Sequence, residues 1–172
     1  MERLTDKSSN RSAEPIYFPV SVLKLSVLSI CSFGLYEIYW FGENWRCEKA
    51  RTNEPLRPVW RAVLAFFFCN ALLNRIKSYG GRTQVSVSYS SGLLTALYIL
   101  LTLCYRLPSP WCLIGTLAFL PLIPAQRAIN GINAKEAPGA DPNTRFSRAN
   151  WVAILIGGTL YLLVALGSFF PK

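Results

Sequence analysis

Four polar side chains lie within otherwise apolar stretches of this sequence: Lys24, Glu37, Asn70 and Asn74. Ionisable groups inside a membrane segment are rare, and they commonly mark an ion pathway, a proton relay or a contact with another helix. Asn70 and Asn74 are four residues apart, so an α-helix places both on one face. These four residues are therefore the candidate intramembrane polar or interaction positions.

Each position also has a purely structural interpretation. The Lys24 side chain can extend towards the start of its apolar segment and place its ammonium group among the lipid headgroups. Glu37 lies in the run YEIYW, and aromatic residues of this kind are enriched at the headgroup level. The two asparagines can hydrogen-bond to a neighbouring helix or line a ligand cavity. The sequence leaves these alternatives open.

The sequence predicts no enzyme, no cofactor and no metal site. It contains no histidine, which removes the commonest general base and the commonest metal ligand. Its five cysteines form no CxxC pair, and most lie in or beside apolar runs, where a free cysteine behaves as a small hydrophobic residue. No phosphate-binding glycine loop and no nucleophile–base pair is recognisable. We therefore expect no catalytic residue.

The distribution of apolar and charged residues predicts a membrane protein. Hydrophobic residues make up 52% of the chain and its mean hydropathy is +0.29. They are collected in blocks separated by short polar stretches, as a bilayer requires. The net charge is +9, but the Lys and Arg residues flank the apolar blocks instead of forming one basic face. This pattern argues against nucleic acid as a partner and is typical of loops retained in the cytoplasm.

The predicted fold class is all-α, a polytopic membrane helical bundle. We expect three spans at about residues 86–107, 110–130 and 149–170. Two N-terminal segments, at about residues 17–41 and 59–79, either span or are re-entrant. Residues 1–15 are polar and of mixed charge, which predicts a mobile tail. Residues 16–172 then form a single integral membrane helical domain.

Chain breaks and run lengths set these boundaries. Residues 151–170 carry no charge over 20 residues, about 30 Å as a helix. The Pro-Ser-Pro sequence at 108–110 predicts a hairpin, because a straight helix cannot pass both prolines without losing backbone hydrogen bonds. Gly34 divides the first segment, and the apolar core of the second, residues 62–73, is only about 18 Å long as a helix. The alternating run QVSVSYSS is expected to begin the next helix, since an isolated strand leaves backbone groups unpaired in lipid.

Charge counts predict part of the topology. Five ordinary spans divide the flanking Lys and Arg residues into ten and seven, a weak bias. If both N-terminal segments are re-entrant the division is fifteen to two, and if only the second fails to cross it is twelve to five. The arrangements with a real bias place the 108–110 joint and the C-terminus outside and the 125–148 loop in the cytoplasm. The side on which the N-terminus lies stays open.

The first apolar segment carries a recognisable motif, Gly-x-Tyr, then Tyr-Trp, then Asn-Trp. It resembles a family of uncharacterised multi-pass bacterial inner-membrane proteins, closely over about residues 1–65 and loosely over most of the chain. One departure is the Gly42-Glu43 pair, where an aromatic and a basic residue are more usual in the family. The resemblance implies a location in the inner membrane and no particular activity. The matching residues are Ser32, Phe33, Gly34, Tyr36, Tyr39, Trp40, Asn44 and Trp45.

Two functions from different classes remain. The first is a non-catalytic integral membrane protein that acts through helix contacts, as an accessory subunit or envelope-associated protein. The alternative is a small oligomeric transporter or channel that uses Lys24, Glu37, Asn70 and Asn74. Both require the lipid bilayer of the inner membrane, and both allow a membrane protein partner or a homo-oligomer.

Overall fold

The computed structural model describes residues 14–169, and within this range the protein contains helices and no strand. The all-α prediction is therefore confirmed, while most of the predicted tail, residues 1–15, lies outside the described residues. Seven α-helices follow one another: α1 (Val22–Cys31), α2 (Leu35–Thr52), α3 (Pro58–Val63), α4 (Ala65–Arg82), α5 (Ser91–Leu103), α6 (Ile123–Glu136) and α7 (Arg148–Phe169). Short 3₁₀ segments occupy Cys104–Arg106, Trp111–Leu117 and Leu120–Leu122.

The helices α1 and α2 form a hairpin whose turn lies at residues 32–34. Ser21 caps α1 by accepting a hydrogen bond from the Lys24 N–H at 3.1 Å. Gly34 begins α2 with a left-handed φ of +86°, a conformation that glycine adopts at no steric penalty. Beyond the turn the chain returns, because the Phe18 N–H donates to Asn44 Oδ1 at 3.2 Å. The two helices therefore run antiparallel.

A second hairpin consists of α3 and α4, with its turn at Leu64. Before the turn, Ala62 lies beside Gly42, whose added methyl group would be 3.5 Å from the Ala62 side chain. After the turn, Arg75 pairs with Glu54 at 2.8 Å. The chain thus leaves Glu54, reverses at Leu64 and comes back to Glu54. Both predicted N-terminal segments begin and end at the same end of the molecule, which we call the polar end.

The helix α5 begins later than predicted. Residues 85–90 are extended, and the helix starts at Ser91 after a cap by Ser90. In this stretch Val85, Val87 and Tyr89 are half-buried and alternate with exposed residues, so the alternation in QVSVSYSS marks an extended chain and not a helix start. The Tyr89 hydroxyl donates to the Leu73 carbonyl at 3.0 Å and fixes the segment on α4.

Two helical segments are long and apolar enough to cross a membrane, Trp111–Glu136 and Arg148–Ser168. They correspond to the second and third predicted spans. The first predicted span, at 86–107, is instead a shorter apolar helix, Ser91–Arg106. The first part of Trp111–Glu136 is 3₁₀ up to Leu122, and Pro121 and Pro124 lie where this tighter winding gives way to α6.

The hydrophobic core lies between α2, α4, α5 and α6. The largest fully buried apolar side chains are Trp40, Trp45, Tyr17, Phe41, Leu25, Leu72, Leu73, Ile76, Leu122, Ile129 and Ile132. The helix α7 stands outside this core and packs mainly against α1. A Cβ added to Gly157 would lie 1.9 Å from the Cys31 carbonyl oxygen, so the two helices cross in near backbone contact.

Candidate functional site

Glu37 lies in the first turn of α2, next to the 32–34 turn, and its side chain is only 3% exposed. The Tyr98 side chain, from α5, lies next to its carboxyl group. The Phe41 ring packs on the Tyr98 ring with centroids 5.4 Å apart and holds that side chain in place. Contrary to the headgroup interpretation, Glu37 points into the helix packing.

A second tyrosine hydroxyl approaches the same carboxyl group from the 3₁₀ turn after α5. A methyl group built on Gly34 would be 3.5 Å from the Tyr105 hydroxyl and 3.8 Å from Glu37 Oε1, so both groups flank the bare glycine. Neither Tyr105 OH nor Glu37 Oε1 has a hydrogen-bond partner within residues 14–169. Gly115 makes room for the Tyr105 ring, because a Cβ there would be 2.6 Å from it. We call Glu37, Tyr98, Tyr105 and Gly34 the carboxyl site.

Lys24 belongs to the other end of the same hairpin. Its side chain is buried, and its ammonium group donates to Asn143 Oδ1 at 2.7 Å and to the Arg145 carbonyl at 2.8 Å. It therefore fastens the loop between α6 and α7 to the start of α1, and the structure does not bring it together with Glu37.

Asn70 and Asn74 share one face of α4, and that face is exposed. Asn74 Nδ2 donates to Asn70 Oδ1 at 3.3 Å, so the two amides partner each other. Phe66 and Phe67 are also exposed near the start of the helix, at 42% and 73%. The pair is thus a polar spot on an outward surface and makes no contact with Lys24 or Glu37.

Sequence reasoning missed a set of amide side chains, the amide cradle, formed by Asn44, Gln126, Asn130 and Asn133. The cradle binds the backbone of residues 17–20, the segment before α1. Asn133 accepts from the Tyr17 N–H at 3.1 Å and donates to the Tyr17 carbonyl at 2.8 Å. Gln126 and Asn130 each donate to the Val20 carbonyl at 3.0 Å.

The amide cradle replaces the backbone partners that a strand would have in a sheet. Gln126 is fully buried and also accepts from the Trp40 indole N–H at 2.5 Å, so it joins residues 17–20, α2 and α6. One sequence signal was available. Residues 126, 130 and 133 are amides at i, i+4 and i+7, which places them on one face of α6.

A second missed feature is the ion cluster of Glu48, Arg51, Glu54 and Arg75 at the polar end. Glu48 is 1% exposed and accepts from Arg51 at 2.6 Å, from Arg75 at 2.9 Å and from the Tyr17 hydroxyl at 3.0 Å. Burial by itself raises the pKa of the Glu48 carboxyl, but the hydrogen bonds from the two arginines outweigh it and hold the pKa below its usual range. The cluster ties α2 to α4.

The ion cluster also borders a polar cleft of about 340 Å³. Its lining includes a third arginine, Arg82, together with Ser78 and Tyr79 from the same helix. The Arg51 guanidinium stacks over the Tyr79 ring at 4.5 Å from its centroid. Because two of its arginines are already paired with carboxylates, we assign the cluster a structural role.

Comparison with models of known protein families finds no match to this chain. A search of curated proteins and a search of solved structures likewise find no match.

Proposed function

We propose that this chain is a multi-pass protein of a bacterial inner membrane that acts without catalysis, through contacts between its helices and a membrane partner. The observation that carries the proposal is the exposure of α7. Its 22 residues contain one charge, Arg148, at the first position. Leu155, Leu162 and Leu163 are 67%, 62% and 61% exposed.

Exposure of such an apolar helix to water is energetically unfavourable. Burial of a leucine side chain is favourable by about 1.5–3 kcal/mol, and α7 leaves most of its leucines unburied. Lipid covers such a surface, and so does a helix from another protein. A helix that packs mainly against α1 presents most of its circumference for that contact.

The distribution of charge supports an orientation with the polar end in the cytoplasm. Among the described residues, Arg106 is the only Lys or Arg close to the 107–110 joint. The ion cluster, Lys24 and the 137–147 loop lie together at the opposite end. Since cytoplasmic loops are enriched in Lys and Arg, the joint and the end of α7 are then outside. The resemblance of residues 32–45 to inner-membrane proteins favours the same location.

Site-specific photo-crosslinking in native membranes tests the proposal. A photoreactive residue at Leu162, on the exposed face of α7, is expected to capture one protein partner in near-stoichiometric yield. The matched control is a photoreactive residue at Ile154, a half-buried position of the same helix. Capture of a second copy of this chain identifies a homo-oligomer. Lipid adducts alone at Leu162 contradict a helix-mediated interaction.

A second candidate function, a small transporter or channel, is favoured by the carboxyl site. A carboxyl group enclosed by packed helices is typical of ion and proton pathways. Reconstituted vesicles carrying wild-type protein are expected to show a proton or cation flux that Glu37→Gln abolishes. A flux that is absent from the wild type, or unchanged by Glu37→Gln, rules this candidate out.

A further inference from the structure

Glu37 is a carboxyl group enclosed by protein with no cation beside it. No Lys or Arg of the described chain lies within ion-pair distance of its oxygens, in contrast to Glu48 with its two arginines. A buried carboxylate that lacks a paired cation is strongly unfavourable, and such a group takes up a proton instead. Glutamine would make similar hydrogen bonds without this penalty, so packing alone does not account for an acid here.

The two tyrosines give the carboxyl group a partner in both protonation states. A tyrosine hydroxyl donates one hydrogen bond and also accepts. The Tyr98 hydroxyl can therefore donate to the ionised carboxylate, and the Tyr105 oxygen can accept from the protonated acid. Tyr105 OH and Glu37 Oε1 form no hydrogen bond with any group among residues 14–169, so both atoms are free to bond to each other or to a proton.

The carboxyl site lies directly beside the 32–34 turn. Ser32 and Gly34 are partly exposed, and Glu37 follows Gly34 by one helical turn. Because Gly34 has no side chain, the space between the Tyr105 hydroxyl and Glu37 Oε1 stays open. A larger residue would fill it.

We propose that the Glu37 carboxyl group is a reversible proton-binding site, held between Tyr98 and Tyr105 at the turn of the first hairpin. The ligand is a proton. The site does not depend on which partner covers α7, so it goes beyond the function proposed above. If the chain is a transporter, this is the group that carries the proton.

The titratable groups that face Glu37 are tyrosines from two elements, Tyr98 of α5 and Tyr105 of the 3₁₀ turn. Tyr161 of α7 lies behind Tyr105. Lys24 is the only charged residue of α1 and occupies the opposite end of that helix, where it binds Asn143. None of these groups supplies a fixed positive charge to the carboxyl site.

Infrared spectroscopy of the full chain in lipid nanodiscs tests the proposal. A protonated carboxyl group has a C=O stretching band that is separate from the carboxylate and amide bands. At about pH 6 the exposed carboxylates are ionised, so we expect this band from Glu37 and its loss as the pH is raised towards about 10. Glu37→Gln should lack the band at every pH, and Glu43→Gln, from the same helix, should keep it.

The tyrosines have a separate expected effect. Tyr105→Phe removes the hydroxyl oxygen that can accept from the protonated acid, and it is expected to lower the proton affinity about tenfold, a shift of about one pH unit in the midpoint. A carboxylate that paired cations keep ionised, as Arg51 and Arg75 do for Glu48, would show no such band over this pH range. The proposal is overturned if the wild-type band is absent, if it never titrates, or if Glu37→Gln leaves it unchanged.

A second measurement needs no variant and so avoids any folding defect. Dicyclohexylcarbodiimide reacts with protonated carboxyl groups in apolar surroundings. The acid transfers its proton to a carbodiimide nitrogen, the carboxylate oxygen bonds to the central carbon, and acyl migration to nitrogen gives a stable N-acylurea. Peptide mass spectrometry of treated membranes is expected to find the adduct on Glu37, at least about tenfold less at alkaline pH. Absence of that adduct, or equal modification of Glu43, contradicts the proposal.

Discussion

Buried polar residues in this protein differ in whether their hydrogen-bonding groups are matched. Glu48, at the polar end, has three donors around a carboxylate that is 1% exposed. Gln126 has partners on both its amide nitrogen and its amide oxygen. Glu37 and Tyr105, by contrast, each keep an oxygen without a partner among the described residues. Buried polar groups with hydrogen-bond partners stabilise the fold, whereas buried groups without partners are candidates for binding a ligand.

Glu48→Gln is expected to lower the free energy of unfolding by about 1–3 kcal/mol, because Arg51 and Arg75 lose their shared charged acceptor. The folded-state pKa of Glu48 lies below its unfolded value. Its stabilisation is therefore complete above the unfolded pKa of about 4.3 and is lost as the pH falls through the folded-state pKa. Thermal unfolding in detergent, measured from neutral to acid pH, checks both effects.

The matched control for Glu48 is Glu43→Gln. Glu43 pairs with Arg46, whose side chain is 59% exposed, so this ion pair contributes little. We expect a change within about 0.5 kcal/mol. If Glu48→Gln and Glu43→Gln lower the free energy of unfolding equally, the ion cluster does not account for the loss in Glu48→Gln.

Gln126→Leu is expected to lower the free energy of unfolding by about 2–4 kcal/mol, because the Val20 carbonyl and the Trp40 indole each lose a buried partner. Residues 17–20 should loosen first, which hydrogen exchange at the Tyr17 and Phe18 amides reports. Asn70→Leu makes the same kind of change on the exposed face of α4 and should leave that exchange unaltered. Equal exchange in the two variants would show that the amide cradle does not hold the segment.

At the level of elements, the two N-terminal hairpins and the α1–α7 crossing shape the molecule. Each hairpin turns at a break in helical backbone, one at Gly34 and one at Leu64. The α1–α7 crossing depends on one glycine, since Gly157 meets the Cys31 carbonyl. Its neighbour Gly158 has only an ordinary contact, with an added Cβ 3.7 Å from Cys31 Sγ.

Gly157→Ala is therefore expected to push α7 away from α1 and to lower stability by about 1–3 kcal/mol. Gly158→Ala should be neutral or slightly stabilising, because alanine favours a helix over glycine by about 1 kcal/mol. Thermal unfolding together with proteolysis of the 137–147 loop distinguishes the two variants. An equal loss of stability in Gly157→Ala and Gly158→Ala would show that the close contact between α1 and α7 lies at another residue of α7.

Among residues 14–169 most charged side chains lie at the polar end, Arg106 lies beside the 107–110 joint, and apolar side chains cover the sides. This arrangement predicts the topology. With the polar end in the cytoplasm, Arg57→Cys, Gln84→Cys and Ala140→Cys should resist a membrane-impermeant thiol reagent in intact cells. Ser109→Cys should react. The measurement needs a background in which the five natural cysteines are replaced, and permeabilised cells give the control in which all four positions react. Reaction of Gln84→Cys in intact cells would show that the polar end lies outside.

The sequence by itself determined the helical class and the last two long helices. Runs of apolar residues bounded by prolines and charges are local features, and a 20-residue uncharged stretch has few alternatives to a helix. It also predicted the break at Gly34 and the shared face of Asn70 and Asn74. The sequence misplaces the start of α5. Residues 85–90 need no second strand beside them, because the Tyr89 hydroxyl attaches this segment to the Leu73 carbonyl of α4.

Only the tertiary structure decided which polar residues meet. Lys24 and Glu37 are 13 positions apart and both lie in one apolar run, yet the hairpin sends one to Asn143 and the other to Tyr98. Residues 17–20 lie outside the helices, and their backbone groups bond to amide side chains, most of them more than 100 positions away in the chain and one, Asn44, in α2. Such pairings depend on how helices pack, which residue spacing along one segment does not encode.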